Sequence, residues 1–303
     1  MSFVKAIAST IVENTIYYGP RDEKFKNLIR SLLKMSEIKT KYINILTDEK
    51  SMQVYSLVFT HKSADPVNNY EFYEILGDAT LNKIIPWYII RRFPQLKNPE
   101  YVTIIARLKI NLASKKSFST IASKMGLWEY ISADTIIRTS EMKKTLEDVF
   151  EAFFGATELL IEERCAIECG IEQKTIQGIG AIATSTLGAK LFDEERINLA
   201  YNELVDAKTR LKELTDAKNK KEMFNDKQKS ILSSLKYESV KNGLLTTTKI
   251  FINDTCIIGT GVASLKPDSE QIAAENALSS LRNMGIYREV PLIYQKIESE
   301  MKK

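Results

Sequence analysis

A chain of 303 residues with 44% hydrophobic content suggests about two domains, each able to bury its own core. No run of about 18 apolar residues is available to span a membrane, and Met1-Ser-Phe-Val-Lys-Ala-Ile-Ala lacks the basic stretch and longer apolar run of a signal peptide, so residence in the cytoplasm is expected. The net charge of +4 is modest, and three cysteines are too few for a disulfide framework.

In chain order, residues 1–50 mix short helical patterns with the turn signal Tyr18-Gly-Pro-Arg21 and read as an amino-terminal extension or lead-in helices. From 51 to 190 the pattern is almost wholly helical. The only histidine, His61, stands in Phe59-Thr-His-Lys-Ser63; a histidine flanked by Thr and Ser at a helix end is a capping or packing group rather than a base. Then comes Asn69-Tyr-Glu71-Phe-Tyr-Glu74-Ile-Leu-Gly77-Asp78-Ala79, where Gly77 lets a partner backbone or a ligand come close. Pro86 falls inside the same helix and should bend it, since proline cannot donate to the carbonyl of Asn82. Two further helical runs, Ile104 to Ala113 and Phe118 to Leu127, precede Leu146-Glu147-Asp148-Val-Phe-Glu151-Ala-Phe-Phe-Gly155-Ala156. Cys165 and Cys169 have no second ligand pair nearby and read as small packed thiols. The Gly-, Ala- and Thr-rich stretch Gly178 to Gly188 breaks the periodicity before a domain boundary.

Helical residues three or four apart share a face. Glu74 with Asp78, and Asp148 with Glu151, therefore form two carboxylate pairs. Their neighbours Ile75, Leu76, Ala79, Val149, Phe150, Phe153 and Phe154 are expected in the core. Four carboxylates meeting at a core margin repel one another and lose hydration unless cations neutralise them. With no local His or Cys, the ligand type selects Mg²⁺ or Mn²⁺ over Zn²⁺. The plainer reading of each pair is an exposed helix face carrying ordinary acids.

After residue 196 the pattern changes. A helix over Asp206 to Leu214 is followed by a charged insertion near 215–230, strands over Leu235–Val240, Leu245–Ile252 and Cys256–Val262, and a helix over Ser269–Leu281. Between Lys208 and Lys249 there are eleven Lys and Arg against five Asp and Glu. Such a segment is either a solvated linker or a phosphate-tracking surface, and charge alone leans slightly to the linker.

The two acidic motifs, with Phe59 to Ser63 upstream and Arg91-Arg-Phe-Pro94 downstream, closely resemble the signatures of the ribonuclease III family and fall in its order. The α-β-β-β-α order after residue 196, with Gly259-x-Gly261 before Ser269-Glu-Gln-x-Ala-Ala274, resembles a double-stranded RNA-binding domain, a module that reads duplex shape across the minor groove. The implied organisation is an all-α nuclease domain over 51–190, an α+β RNA-binding domain over 196–285 and an unassigned tail, 286–303. The second resemblance departs from its family at Lys266-Pro267, where adjacent lysines are usual, and at Asn242-Gly243, which offers no minor-groove side chain.

These resemblances imply a homodimeric endoribonuclease that hydrolyses double-stranded RNA. Glu74, Asp78, Asp148 and Glu151 would hold Mg²⁺, with Mn²⁺ as a substitute, and Asp78 and Glu151 would carry most of the catalysis. Glu71, Phe72 and Tyr73 would lie near the dimer contact; Thr209, Lys212, Glu213 and Lys266 would meet RNA, assisted by Lys218, Lys220, Lys221, Lys227 and Lys229. The alternative is a non-catalytic relative that sequesters duplex RNA or associates with ribosomes. Such relatives lose acids that this chain keeps. Its Lys, Ile and Asn richness suits an AT-rich genome such as that of a large DNA virus, which would place it in the host cytoplasm.

Overall fold

The computed structural model describes residues 15–165, 178–216 and 223–301. The chain divides into two compact units, one of Met1–Lys97 with Leu108–Arg196, the other of Asn98–Arg107 with Ile197–Lys303.

The first unit is helical. Its helices are α1 (Glu23–Met35), α2 (Thr40–Leu46), α3 (Glu49–Val58), α4 (Glu71–Arg92), α5 (Val102–Leu112), which begins in the other unit, α6 (Lys115–Lys124), α7 (Thr135–Ser140), α8 (Met142–Leu160) and α9 (Ile179–Asp193). The lead-in helices therefore belong to this unit rather than forming an extension. Two-residue strands β1 (Ile16–Tyr17) and β2 (Ala133–Asp134) pair antiparallel. Arg21 locks the same region: its guanidinium donates to the carbonyls of Gly19, Tyr130 and Phe59 and sits over the Phe25 ring.

Helix α8 is the central element. Val149, Phe150, Phe153 and Phe154 are fully buried on it, as their spacing implies. Helix α4 crosses α8 backbone to backbone: a Cβ on Gly77 would stand 1.7 Å from the main-chain oxygen of Glu151, and one on Gly155 would stand 2.3 Å from that of Tyr73. The hydroxyl of Thr80 donates to the buried carboxylate of Glu158 at 2.6 Å, tying the same two helices again. Helix α4 continues unbroken through Pro86 to Arg92. One expectation fails here. Ile75 and Ala79 are not core residues: Ile75 is 72% exposed and Ala79 is exposed, because the face of α4 turned to α8 is the one carrying Gly77.

The second unit holds α10 (Tyr201–Leu204), α11 (Ala207–Asp216), α12 (Asp226–Ser233), strands β3 (Lys236–Asn242), β4 (Leu245–Ile252) and β5 (Cys256–Ala263), then α13 (Lys266–Asn283) and α14 (Leu292–Met301). The strands form one antiparallel sheet in the order β3-β4-β5. Leu211, Leu214, Ile250, Ile252, Ala273, Ala277 and Leu281 form its core. Gly259 and Gly261 let α13 lie directly on β5, since a Cβ at either would come within 2.2 Å of a main-chain oxygen of the helix.

Two elements depart from the expected order. The charged insertion is partly folded: α12 is closed by a capping box between Asn225 and Gln228 and buries Leu232. Lys227 and Lys229 ride on it, whereas Lys218, Lys220 and Lys221 lie outside the described residues, as does Cys169. The tail is also structured. Helix α14 buries Ile297 and Tyr294, sets Tyr294 edge-to-face with Tyr201 at 5.0 Å between ring centres, and binds the Asn98–Arg107 segment through Tyr101 to Glu300 and Lys296 to Glu100.

Candidate metal centre

The loop before α4 sets its start. Asp65 accepts from the amides of Val67 and Asn68, and Asn69 accepts from the amide of Glu71, so the chain enters the helix with Glu71 and Glu74 in its first turn. The Gly77 crossing then sets Glu74 against α8. The outcome is a cluster of Glu74, Asp148 and Glu151, each offering a carboxylate oxygen within 4.8 Å of the others.

Asp78 is placed differently. It is exposed, lies one turn beyond Glu74, and accepts from the Asn82 amide at 2.8 Å. Its charge nonetheless helps to raise the pKa of Glu151.

The electrostatics are those of a site short of positive charge. Burial, and then the repulsion of Glu147, Asp78 and Glu74, push Glu151 up to about 8. Burial followed by Asp148 pushes Glu74 up to about 7. Asp148, only 7% exposed, is also raised by burial, against the pull of a hydrogen bond from the Tyr70 hydroxyl at 3.1 Å. Glu71 and Glu147 on the rim have cationic partners, Lys62 at 2.6 Å and Lys115 at 3.6 Å. Glu74, Asp148 and Glu151 make no ion pair among the described residues. Carboxylates that are both desolvated and unpaired fit a hard divalent cation, which supplies the missing charge through oxygen ligands.

His61 does not join them. Its Nδ1 accepts from the Ser63 amide, its ring packs on Tyr70 at 5.7 Å, and burial lowers its pKa, so it shapes the wall behind Tyr70. Tyr70 was legible only as an aromatic of the motif; its role in orienting Asp148 comes from a contact 78 positions away in sequence.

At the first turns of α4, Glu71 is exposed, Phe72 is 59% exposed and Tyr73 is half-buried, so together with Ile75 this face presents apolar side chains to solvent. In the second unit, Lys212 is exposed and makes no ion pair among the described residues. Lys266 opens α13, 3.7 Å from Glu270. The Thr209 hydroxyl is held by Asp206 at 2.6 Å. Glu213 is committed inside its unit, accepting from Tyr201 at 2.7 Å and Arg288 at 3.2 Å. Strands β3 and β4 join through the two residues Gly243 and Leu244, with Asn242 paired to Leu245.

Comparison with known proteins decides the family. The Ribonuclease III domain model matches residues 71–159, the stretch that holds all four acids. A ribonuclease 3 relative from Invertebrate iridescent virus 6 is 39% identical over 286 residues, covering 91% of this chain and 94% of that one. The chain belongs to the ribonuclease III family. It is accordingly an endoribonuclease, a hydrolase. A second viral relative of this family, from Frog virus 3, is 36% identical over 83% of this chain and 62% of its own length, and the ribonuclease 3 of Ureaplasma parvum is 27% identical over 77% and 91%. Two of these relatives are thus viral, in line with the residue bias. The solved nuclease domain of the Campylobacter jejuni ribonuclease III overlaps 56% of this chain and 98% of its own at 22% identity and a TM-score of 0.40, which adds nothing to the sequence match.

Proposed function

We propose that the protein hydrolyses phosphodiesters of double-stranded RNA as a homodimer, using Mg²⁺ or, as a substitute, Mn²⁺. The observation that carries this reading is the convergence of Glu74, Asp148 and Glu151 within 4.8 Å with no cationic partner among the described residues. When bound, such ions would supply an acidified water and charge to stabilise the departing 3′ oxygen. Glu74, Asp148 and Glu151 would hold them, Asp78 would add its carboxylate directly or through water, and Tyr70 fixes the Asp148 carboxylate. Water adds to phosphorus, the bond to the 3′ oxygen breaks, and a 5′ phosphate and a 3′ hydroxyl remain. All four acids are kept, which favours catalysis over sequestration.

The described residues of each chain hold one such centre, so cutting both strands calls for two copies. The exposed apolar face of Phe72 and Ile75, beside Glu71 and Tyr73, supports a dimer contact there. The second unit supports a duplex-RNA contact through Lys212 and Lys266, with Thr209 beside them, while Glu213 could join only by giving up Tyr201 and Arg288. No helix among the described residues is long and apolar enough to cross a membrane; action on RNA in the host cytoplasm is part of the proposal.

The test is incubation of the purified protein with a long RNA duplex. Cleavage in Mg²⁺ or Mn²⁺, none in EDTA, and little action on single-stranded RNA or duplex DNA is expected; cleavage that persists under chelation would sink the metal-dependent reading.

A further inference from the structure

Beyond the metal centre, the second half of α4 carries a feature to which the proposed chemistry assigns no role. Lys83, Trp87 and Arg91 stand four residues apart and so share one face of the helix, a stripe about 12 Å long at 1.5 Å per residue. Lys83, Trp87 and Arg91 are all exposed, Trp87 by 55% of its surface. Helix α9 forms the opposite wall with Ile182, Ser185 and Thr186, and the two helices enclose a cavity of about 670 Å³.

The charge of this groove is one-sided. Among the described residues four cations line it, Lys83, Arg91, Arg92 and Lys190, against the single carboxylate of Asp193. Arg92 lies 3.6 Å from Asp193, which also accepts from Tyr88, and Lys190 is paired with Glu37 at 2.7 Å. The free positive charge is therefore that of Lys83, which has no partner among the described residues, and of Arg91, whose guanidinium rests 5.8 Å from the Trp87 ring centre.

We propose that the groove between α4 and α9 is a binding site for unpaired RNA, in which Trp87 stacks on a base and Lys83 and Arg91 hold the flanking phosphates. An exposed indole between two cations is the arrangement that tracks a single strand: every base offers a π-face, and the backbone supplies an anion on either side. Duplex RNA does not fit this description, because its base faces are covered by their neighbours. The inference rests on the protein's acting on RNA, and it adds a second element to the substrate: a loop, bulge or tail beside the duplex.

Tryptophan fluorescence of the full-length protein in EDTA, titrated with a short oligouridine, tests it. The chain has two tryptophans. Quenching is expected in the parent and in Trp128→Phe, and its loss in Trp87→Phe. By anisotropy of a labelled oligouridine, Trp87→Ala weakens binding roughly tenfold, and Lys83→Gln with Arg91→Gln lowers the slope of log K against log salt by roughly 1.4, about 0.7 for each single-strand phosphate contact. Absent quenching, quenching that survives Trp87→Phe, or stronger quenching by polyglutamate would overturn the proposal, the last in favour of an acidic protein partner. The two readings fail separately. Cleavage of a blunt duplex without a Trp87 signal removes the groove alone, and a Trp87 signal without cleavage removes the nuclease alone.

Discussion

Gly77 lies directly on the main chain of Glu151: a Cβ added to the glycine would stand 1.7 Å from that residue's carbonyl oxygen. The helices that supply the carboxylates thus touch at the residue that supplies one of them. Gly77→Ala must push them apart, costing about 1–3 kcal/mol of stability as overpacking does. A shift of about an ångström at a reacting centre can cost roughly a hundredfold in rate. Cleavage measured well below the unfolding transition should therefore fall further than the melting temperature suggests; a variant that melts early but cuts normally would contradict this.

The same closeness predicts a pH effect. Glu151 and Glu74 are raised from 4.5 to about 8 and about 7, so the folded protein binds their protons more tightly than the unfolded chain does. Their contribution to stability is fully present below about 4.5 and is lost as pH rises through 7 and 8. Thermal melting in EDTA should accordingly drop between pH 5 and 8 relative to the Glu74→Gln, Glu151→Gln double variant, and Mg²⁺ should restore more at pH 8 than at pH 5.

Tyr70→Phe removes one donor to Asp148 and leaves the ring in place. Groups that orient a metal ligand are worth about 10–100-fold in metal affinity or activity. The Mg²⁺ concentration needed for half-maximal cleavage should rise within that range while folding, read by circular dichroism, is kept; an unchanged Mg²⁺ requirement would mean that Tyr70 is only a packing group.

How much of this was legible in the sequence varies with the range of the contact that decides it. Helical spacing is local, so the shared face of Asp148 and Glu151, the three strands and the buried row Val149, Phe150, Phe153 and Phe154 could be read directly. Which way a helix face points is decided by a distant partner, and Ile75 and Ala79 were misplaced for that reason. Asp78 stands outside the cluster, and its carboxylate accepts from Asn82 one turn on. Helix α12 did leave a signal, the Asn225-x-x-Gln228 capping pattern, hidden within a run of charges. The tail helix α14 is held in part by residues about 200 positions earlier, Glu100 and Tyr101, and nothing local announces that.

Assembly can be tested on the exposed face of α4. Phe72→Glu with Ile75→Glu places two charges where the dimer contact is proposed, on side chains that are 59% and 72% exposed, so folding should survive. Light scattering at micromolar concentration should show a dimer for the parent and a monomer for the variant. A parent that is a clean monomer while still making paired cuts would count against the homodimer.

The most direct test of the central claim is single-turnover cleavage of a long RNA duplex in Mg²⁺ by the parent and by Glu151→Gln, paired with a gel shift in Ca²⁺. Glutamine keeps the size and hydrogen-bonding capacity of the side chain but removes the charge that a divalent ion requires. The rate should fall by orders of magnitude, while duplex binding stays equal or tightens because a negative charge near the phosphates has gone. Equal cleavage by parent and variant would contradict the account and remove Glu151 from the centre.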